Sequence, residues 1–251
     1  MFNKEIILAC FLFCAPFHCL AEKISVAFGN TLAPWVMSES QSGILLDIVK
    51  QALEPLGYKV KPYYYPYARR INAFRQKEVD VVCDINLANI KHLSLRGHFS
   101  GEIYQYENYF YALSRNKFQF SSMDDLVGSS IVAWQGAMYS LDDKYEKMAT
   151  ANPFYMEIHN QKSQVKLLFN GRVDVIQLDK NIFEYYRLQI AKDGYINVNQ
   201  GVDKFAFLTP NPGGFMFHSQ KVRDDFLTQV NKMIESGQMH RIFQQYGGSY
   251  Q

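Results

Sequence analysis

Apolar positions along this chain change their period repeatedly, and each change marks an element. Lys23–Phe28 alternates apolar and polar residues, which predicts a strand. Gly43–Leu56 sets Ile44, Leu45, Ile48, Val49, Ala52 and Leu53 on one face of a helix that Gly57 ends. Tyr58–Tyr64 reads as a strand, and Pro66 opens a helix over Tyr67–Gln76. Val79–Ile85 is a short β-branched run of the kind found in buried strands. This is a β-α-β-α-β order, which predicts a parallel sheet with helices on its faces.

The pattern then restarts. Strands are predicted over Asn108–Ser114, Ser130–Trp134, Phe154–Ile158 and Val173–Leu178. Between them lie a helical turn at Met123–Leu126 and helices at Leu141–Thr150 and Gln164–Asn170. A helix over Lys180–Ala191, a strand Phe215–Phe217 and helices over Val222–Ser236 and Met239–Tyr246 complete the chain. Two such blocks and a returning C-terminus predict an α/β protein of two lobes. Residues 22–104 plus 202–251 form the first and 105–201 the second. The chain is expected to cross between them near Ile103–Glu107 and Asn199–Asp203.

Composition narrows the class. The chain has 251 residues, 48% hydrophobic and 20% charged, which excludes a disordered protein. A formal net charge of +2 argues against a nucleic-acid partner, which calls for a basic face. The N-terminus reads as an address: Lys4 precedes an apolar run from Ile6 to Phe17, and Cys19-Leu20-Ala21 offers a cleavage site before Glu22. That run is too short to span a bilayer as a helix. Residues 1–21 are therefore expected to be a cleaved signal peptide, and the mature chain a periplasmic protein and a monomer. Cys10, Cys14 and Cys19 leave with the signal, so Cys83 remains without a disulfide partner and is expected to be a buried strand residue.

Six short pieces, in order, carry a resemblance. They are Gly43-Ile-Leu-Leu-Asp47, Lys77-Glu-Val-Asp80, His98-Phe99-Ser100-Gly-Glu-Ile-Tyr104, Met123-Asp-Asp-Leu-Val-Gly128 with Ile131-Val-Ala-Trp-Gln-Gly136, Leu168-Phe-Asn-Gly171-Arg-Val-Asp174, and Phe243-Gln-Gln-Tyr246-Gly247. Together they resemble the type II periplasmic solute-binding proteins of family 3, the receptors of amino-acid ABC transporters. The resemblance implies two α/β lobes closing on a ligand in their cleft and delivery of that ligand to an inner-membrane ABC permease.

Open α/β sheets bind ligands beyond the carboxyl ends of their strands, and this selects the site candidates. Asp179 follows a predicted strand, five residues after Asp174, where the resemblance implies the carboxylate that pairs with a ligand ammonium. The same residue also stands where a helix cap belongs, and both roles remain open. Family members carry an Arg six residues before the Phe-Ser pair; counting places Leu93 or His92 there, with Lys91 and Arg96 nearby. Ala137 replaces the Ser or Thr usual after Gly136. An ordinary α-amino acid is therefore a weaker expectation here than for the family at large. Arg69 in Pro66-Tyr-Ala-Arg69 is the preferred source of positive charge, ahead of Arg70. Asp84 ends a strand, with Asn86 just beyond it. Trp35, Trp134 and Gly136 lie in loops after strands, where aromatic faces suit apolar groups and cations. Trp35, Arg69, Asp84, Asn86, His92, Trp134, Gly136 and Asp179 are thus the predicted ligand contacts.

No nucleophile elbow, phosphate loop or metal-ligand spacing occurs in the sequence, so no cofactor, metal or catalytic residue is expected. The leading expectation is a receptor for a small polar solute, an amino acid or an amine. Two alternatives are an enzyme on the same scaffold, since a few relatives are dehydratases of cyclic acids, and a ligand-binding partner of a membrane sensor.

Overall fold

The computed structural model describes residues 21–250, so the expected signal peptide lies outside the described residues except for Ala21. The first lobe opens with β1 (Lys23–Phe28), α1 (Ile44–Leu53), β2 (Lys59–Tyr64), α2 (Tyr67–Arg75) and β3 (Val81–Ile85). It continues through α3 (Leu87–His92), β4 (His98–Phe99) and β5 (Tyr104–Tyr106). The second lobe holds β6 (Asn108–Leu113), β7 (Ile131–Trp134), α4 (Ala137–Ser140), α5 (Asp143–Ala151) and β8 (Tyr155–Ile158). Then come α6 (Gln161–Phe169), β9 (Val175–Asp179), α7 (Lys180–Asp193) and β10 (Val202–Phe205). The chain returns to the first lobe with β11 (Asn211–Phe217), α8 (Gln220–Glu235) and α9 (Gln238–Gln245).

The first sheet runs β2-β1-β3-β11-β4, with β5 paired on β11; the second runs β10-β6-β9-β7-β8. In each, parallel strands are joined by helices, and an antiparallel strand marks the crossing: β11 runs against β3, and β6 against β9. This is the two-lobed, mixed α/β architecture expected. One boundary moves. Val202–Phe205 pairs with β6, register Val202 on Leu113, so these residues extend the second sheet rather than opening the return to the first. The return crossing therefore lies between Phe205 and Asn211. Polar Asp203 and Lys204 masked this strand in the sequence, because it lies at a sheet edge and its residues are only partly buried.

Two of the resembling motifs have a plain structural cause. Asp80 accepts the backbone N–H of Ser25 at 2.8 Å, and Asp174 accepts the N–H of Ser130 at 2.9 Å. Each carboxylate thereby ties the start of one strand to its parallel neighbour, once per lobe. Asp47 and Tyr246 likewise belong together: the Tyr246 hydroxyl donates to Asp47 at 2.7 Å and accepts from the Gly43 N–H at 3.0 Å. The opening and closing helices are latched by this pair.

Apolar packing follows the sheets. Ile24, Val26 and Phe28 of β1 pack with the buried residues of α1, α8 and α9, while Ala27, Val82 and Met216 face Ile71 and Phe74 of α2. The larger core runs on between the lobes through Trp35, Ile103 and Tyr104 to Ile182 and Phe183. The two lobes are therefore in contact.

Candidate functional site

A cavity of about 360 Å³ lies between the lobes, at the carboxyl ends of β1, β3, β7 and β9. The first lobe lines it with Leu32, Asp84 and Asn211, and Tyr106 contributes from the crossing. The second lobe supplies Asn108, Trp134, Ser140, Leu141, Gln161, Asp179 and Ile182. Two carboxylates thus face the cavity, one from each lobe, and among the described residues no Lys, Arg or His lines it.

Asp84 is aimed by a break in the ladder. Cys83 pairs with Phe215 and Ile85 with Gly214, and the register slips between them, so Asp84 is the extra residue of a bulge. Its φ of 61° is left-handed, a conformation that costs a non-glycine residue stability and that recurs at binding sites. The Arg70 guanidinium lies behind it, Nη1 to Oδ2 at 3.4 Å, and the Tyr104 hydroxyl stands 3.5 Å from Oδ1. Arg70 is only 2% exposed. Burial works against its charge, but Cys83, Asp84 and the tyrosines of the crossing outweigh it, and its pKa is raised.

Asp179 ends β9 and does two structural jobs. It caps α7, its Oδ1 accepting the N–H groups of Asn181 at 3.0 Å and Ile182 at 3.1 Å. It also ties the lobes: Oδ1 accepts the Trp35 indole N–H at 3.0 Å, and Oδ2 accepts the Glu107 N–H at 2.9 Å. The carboxylate is 3% exposed. Burial drives its pKa up to about 6, against the lowering effect of those four donors. Asn108 stands opposite Asp179 in the β6–β9 register, which brings both side chains to one level of the cavity floor.

The remaining candidates separate. Trp134 lines the cavity, and Gly136 begins the turn behind it with φ 93°. Trp35 does not line it. The side chain is fully buried, packed on Tyr104, Tyr106 and Phe243 with ring centroids 4.5–5.6 Å away, and reaches the site through Tyr106 and Asp179. Asn86 caps α3 in a reciprocal pair with Asn89 and donates to cavity-lining Asn211 at 3.3 Å. Arg69 is turned to the surface, where it pairs with Glu78 at 2.6 Å and lies over Tyr65. Arg70, one helical step of 100° further on, takes the inward place. His92 is exposed and lies outside the cavity lining, because it stands at the end of α3 away from Asp84 and Asn86. Sequence reasoning missed Leu32, Tyr106, Asn108, Ser140, Leu141, Gln161, Ile182 and Asn211. All but Ser140 and Leu141 sit within four residues of a strand end, and that position is the signal that could have found them.

The chain matches the model of the bacterial extracellular solute-binding proteins, family 3, over residues 24–249. It belongs to that family. Among curated proteins, none matches this chain. Solved structures share its fold. A structure of an ancestral cationic amino acid solute-binding protein superposes with a TM-score of 0.68 at 16% identity, covering 90% of this chain and 95% of that one. The second substrate-binding domain of Lactococcus lactis GlnP, in open conformation, gives 0.64 at 17% identity, covering 90% and 95%. An ancestral amino-acid-binding protein described as a precursor of cyclohexadienyl dehydratase gives 0.61 at 16% identity, covering 90% and 95%. This family member is a ligand-binding protein, and among its described residues no helix is long and apolar enough to cross a membrane.

Proposed function

We propose that the protein is a periplasmic receptor that captures a small polar solute between its lobes and delivers it, as a monomer, to an inner-membrane ABC permease. Residues 1–21 act as its cleaved export signal. The observation that carries this reading is the cavity itself, walled by both lobes and facing one carboxylate from each. A solute touching both walls favours the closed form over the open one, and the closed form is what a membrane partner reads. Asp84, Trp134 and Asp179 are the contacts of greatest weight, with Asn86 and Gly136 supporting them from behind.

The dehydratase reading has one observation in its favour. Asp179, its pKa raised to about 6, is poised for proton transfer near neutrality. Against it, four donors already hold that carboxylate. Service to a membrane sensor would use the same binding chemistry with a different downstream protein.

A thermal-shift screen of the purified, solute-stripped protein tests the receptor reading against amino acids, amines, short peptides and organic acids. A ligand at 100 times its Kd adds about 2.7 kcal/mol. At this chain length that raises Tm by roughly 5–10 °C. A hit that is recovered unchanged supports the receptor; conversion of a carboxylated ring compound to product supports the enzyme instead.

A further inference from the structure

We infer that the solute is a small organic cation without a carboxylate, because the chain's own Glu157 occupies the turn amides beside the cavity that a carboxylate would use. The inference rests on the cavity being the ligand site.

The turn in question touches two residues of the cavity wall. A Cβ on Gly136 would lie 3.7 Å from Trp134 Cζ3 and 3.9 Å from Ser140 Oγ, and both of those residues line the cavity. From this turn two backbone amides converge on one carboxylate. The Gly136 N–H donates to Glu157 Oε2 at 2.6 Å, and the Met138 N–H donates to Oε1 at 2.8 Å. The Tyr155 hydroxyl adds a third bond to Oε1 at 2.8 Å. Burial acts to raise the pKa of Glu157, but these three donors outweigh it and hold the carboxyl below its usual range. Glu157 is therefore ionised at neutral pH. A ligand carboxylate could reach these amides only by expelling Glu157, which breaks charge-assisted bonds and sets two like charges side by side.

The cavity's own charge points the same way. Asp84 has Arg70 behind it, but Asp179 accepts only from neutral donors. One negative charge is left over once Asp179 ionises. Trp134 and Tyr106 add aromatic faces, which attract cations. A protonated amine or guanidinium satisfies all of these surfaces; an α-amino acid brings a carboxylate for which the lining offers no cation.

Isothermal titration calorimetry with matched pairs tests this: agmatine against arginine, cadaverine against lysine, putrescine against ornithine. Members of a pair differ by one carboxylate. The expected result is that the amine of at least one pair binds tenfold or more tighter than its amino acid. Glu157→Ala, by freeing two amides, should narrow that gap through a gain in affinity for the amino acid. Glu157→Gln, which removes the charge and leaves one of the two amides without its acceptor, serves if the alanine variant does not fold, and the wild-type comparison stands without either. Equal or tighter binding of the amino acids overturns the inference and leaves the receptor reading intact. Silence from all six compounds also overturns it. In that case tryptophan fluorescence with neutral and anionic solutes judges the receptor reading separately.

Discussion

The indole N–H of Trp35 in the first lobe donates to Asp179 in the second across 3.0 Å, and both side chains are buried. The residue at the head of α7 is thus a helix cap, a wall of the cavity and the anchor of an interlobe bond. On the proposed reading, closure and ligand binding share one carboxylate, so a solute that draws on Asp179 acts on a group that already holds the lobes together.

Trp35→Phe keeps most of the ring packing and removes only that bond. A hydrogen bond to a charged group contributes about 1.5–3 kcal/mol. The variant should unfold earlier by an amount in that range and spend more time open. Urea midpoints and the radius of gyration in solution check this; if neither moves, the bond does not hold the lobes.

Asp179 also sets a pH dependence. Its pKa is about 6 in the fold against an ordinary 3.8, so the folded chain keeps a proton that the unfolded chain has released. Its contribution to stability is full below about pH 4 and is lost as pH rises through about 6. The loss is on the order of a few kcal/mol in the ligand-free protein. Asp179→Asn keeps a cap at α7 and removes the titration. Stability of the asparagine variant relative to wild type should therefore rise between pH 4 and 7. A cationic ligand works in the opposite sense: it favours the carboxylate, so its affinity should climb through pH 6 with release of a proton, measurable by calorimetry in buffers of different ionisation enthalpy.

Neighbouring arginines should behave differently. Arg70→Ala leaves Asp84 facing the cavity without its guanidinium. Breaking a buried pair costs about 3–5 kcal/mol, and the low end applies because Asp84 is 30% exposed. Arg69→Ala breaks a surface pair with Glu78, at a cost of less than about 1 kcal/mol. Ligand binding should be unchanged by the second substitution and altered by the first. Equal effects in melting and titration experiments would remove the distinction drawn here.

The C-terminal segment straps the lobes from behind. The Ser249 N–H donates to buried Asn181 of α7 at 2.9 Å, and the Tyr250 hydroxyl donates to the Ile103 carbonyl at 3.1 Å. A Cβ at Gly248 would strike the Asn181 side chain, and one at Gly247 would strike Leu188 at a left-handed φ of 77°. At a compatible site a glycine-to-alanine exchange raises stability by about 0.4–1 kcal/mol; here Gly247→Ala should instead lower it by more than about 1 kcal/mol and lift the segment from α7. Hydrogen exchange at the Ser249 amide reads that release.

The local elements were legible where burial is one-sided and long. Strand β1 and helices α1 and α8 follow from periodicity, and β3 from its β-branched run. Elements α3, α4, β4, β5 and β10 did not, because each is only two to six residues long and is held by neighbours rather than by pattern. Asp84 and Asp179 were legible as strand-end carboxylates, and Trp134 as a loop aromatic. Arg69 and Arg70 are equivalent in sequence; only the seating of α2 on the sheet decides which one faces in. Glu157 carried no signal at all, because its partners at Gly136 and Met138 lie about twenty residues away and meet it only when β7 and β8 pair. What the chain's residues settle by themselves is the two-lobed α/β frame, since hydrophobic periodicity is a local property. Which charges meet in the cleft is settled by tertiary structure alone, since it depends on helix rotation, strand register and a single-residue bulge.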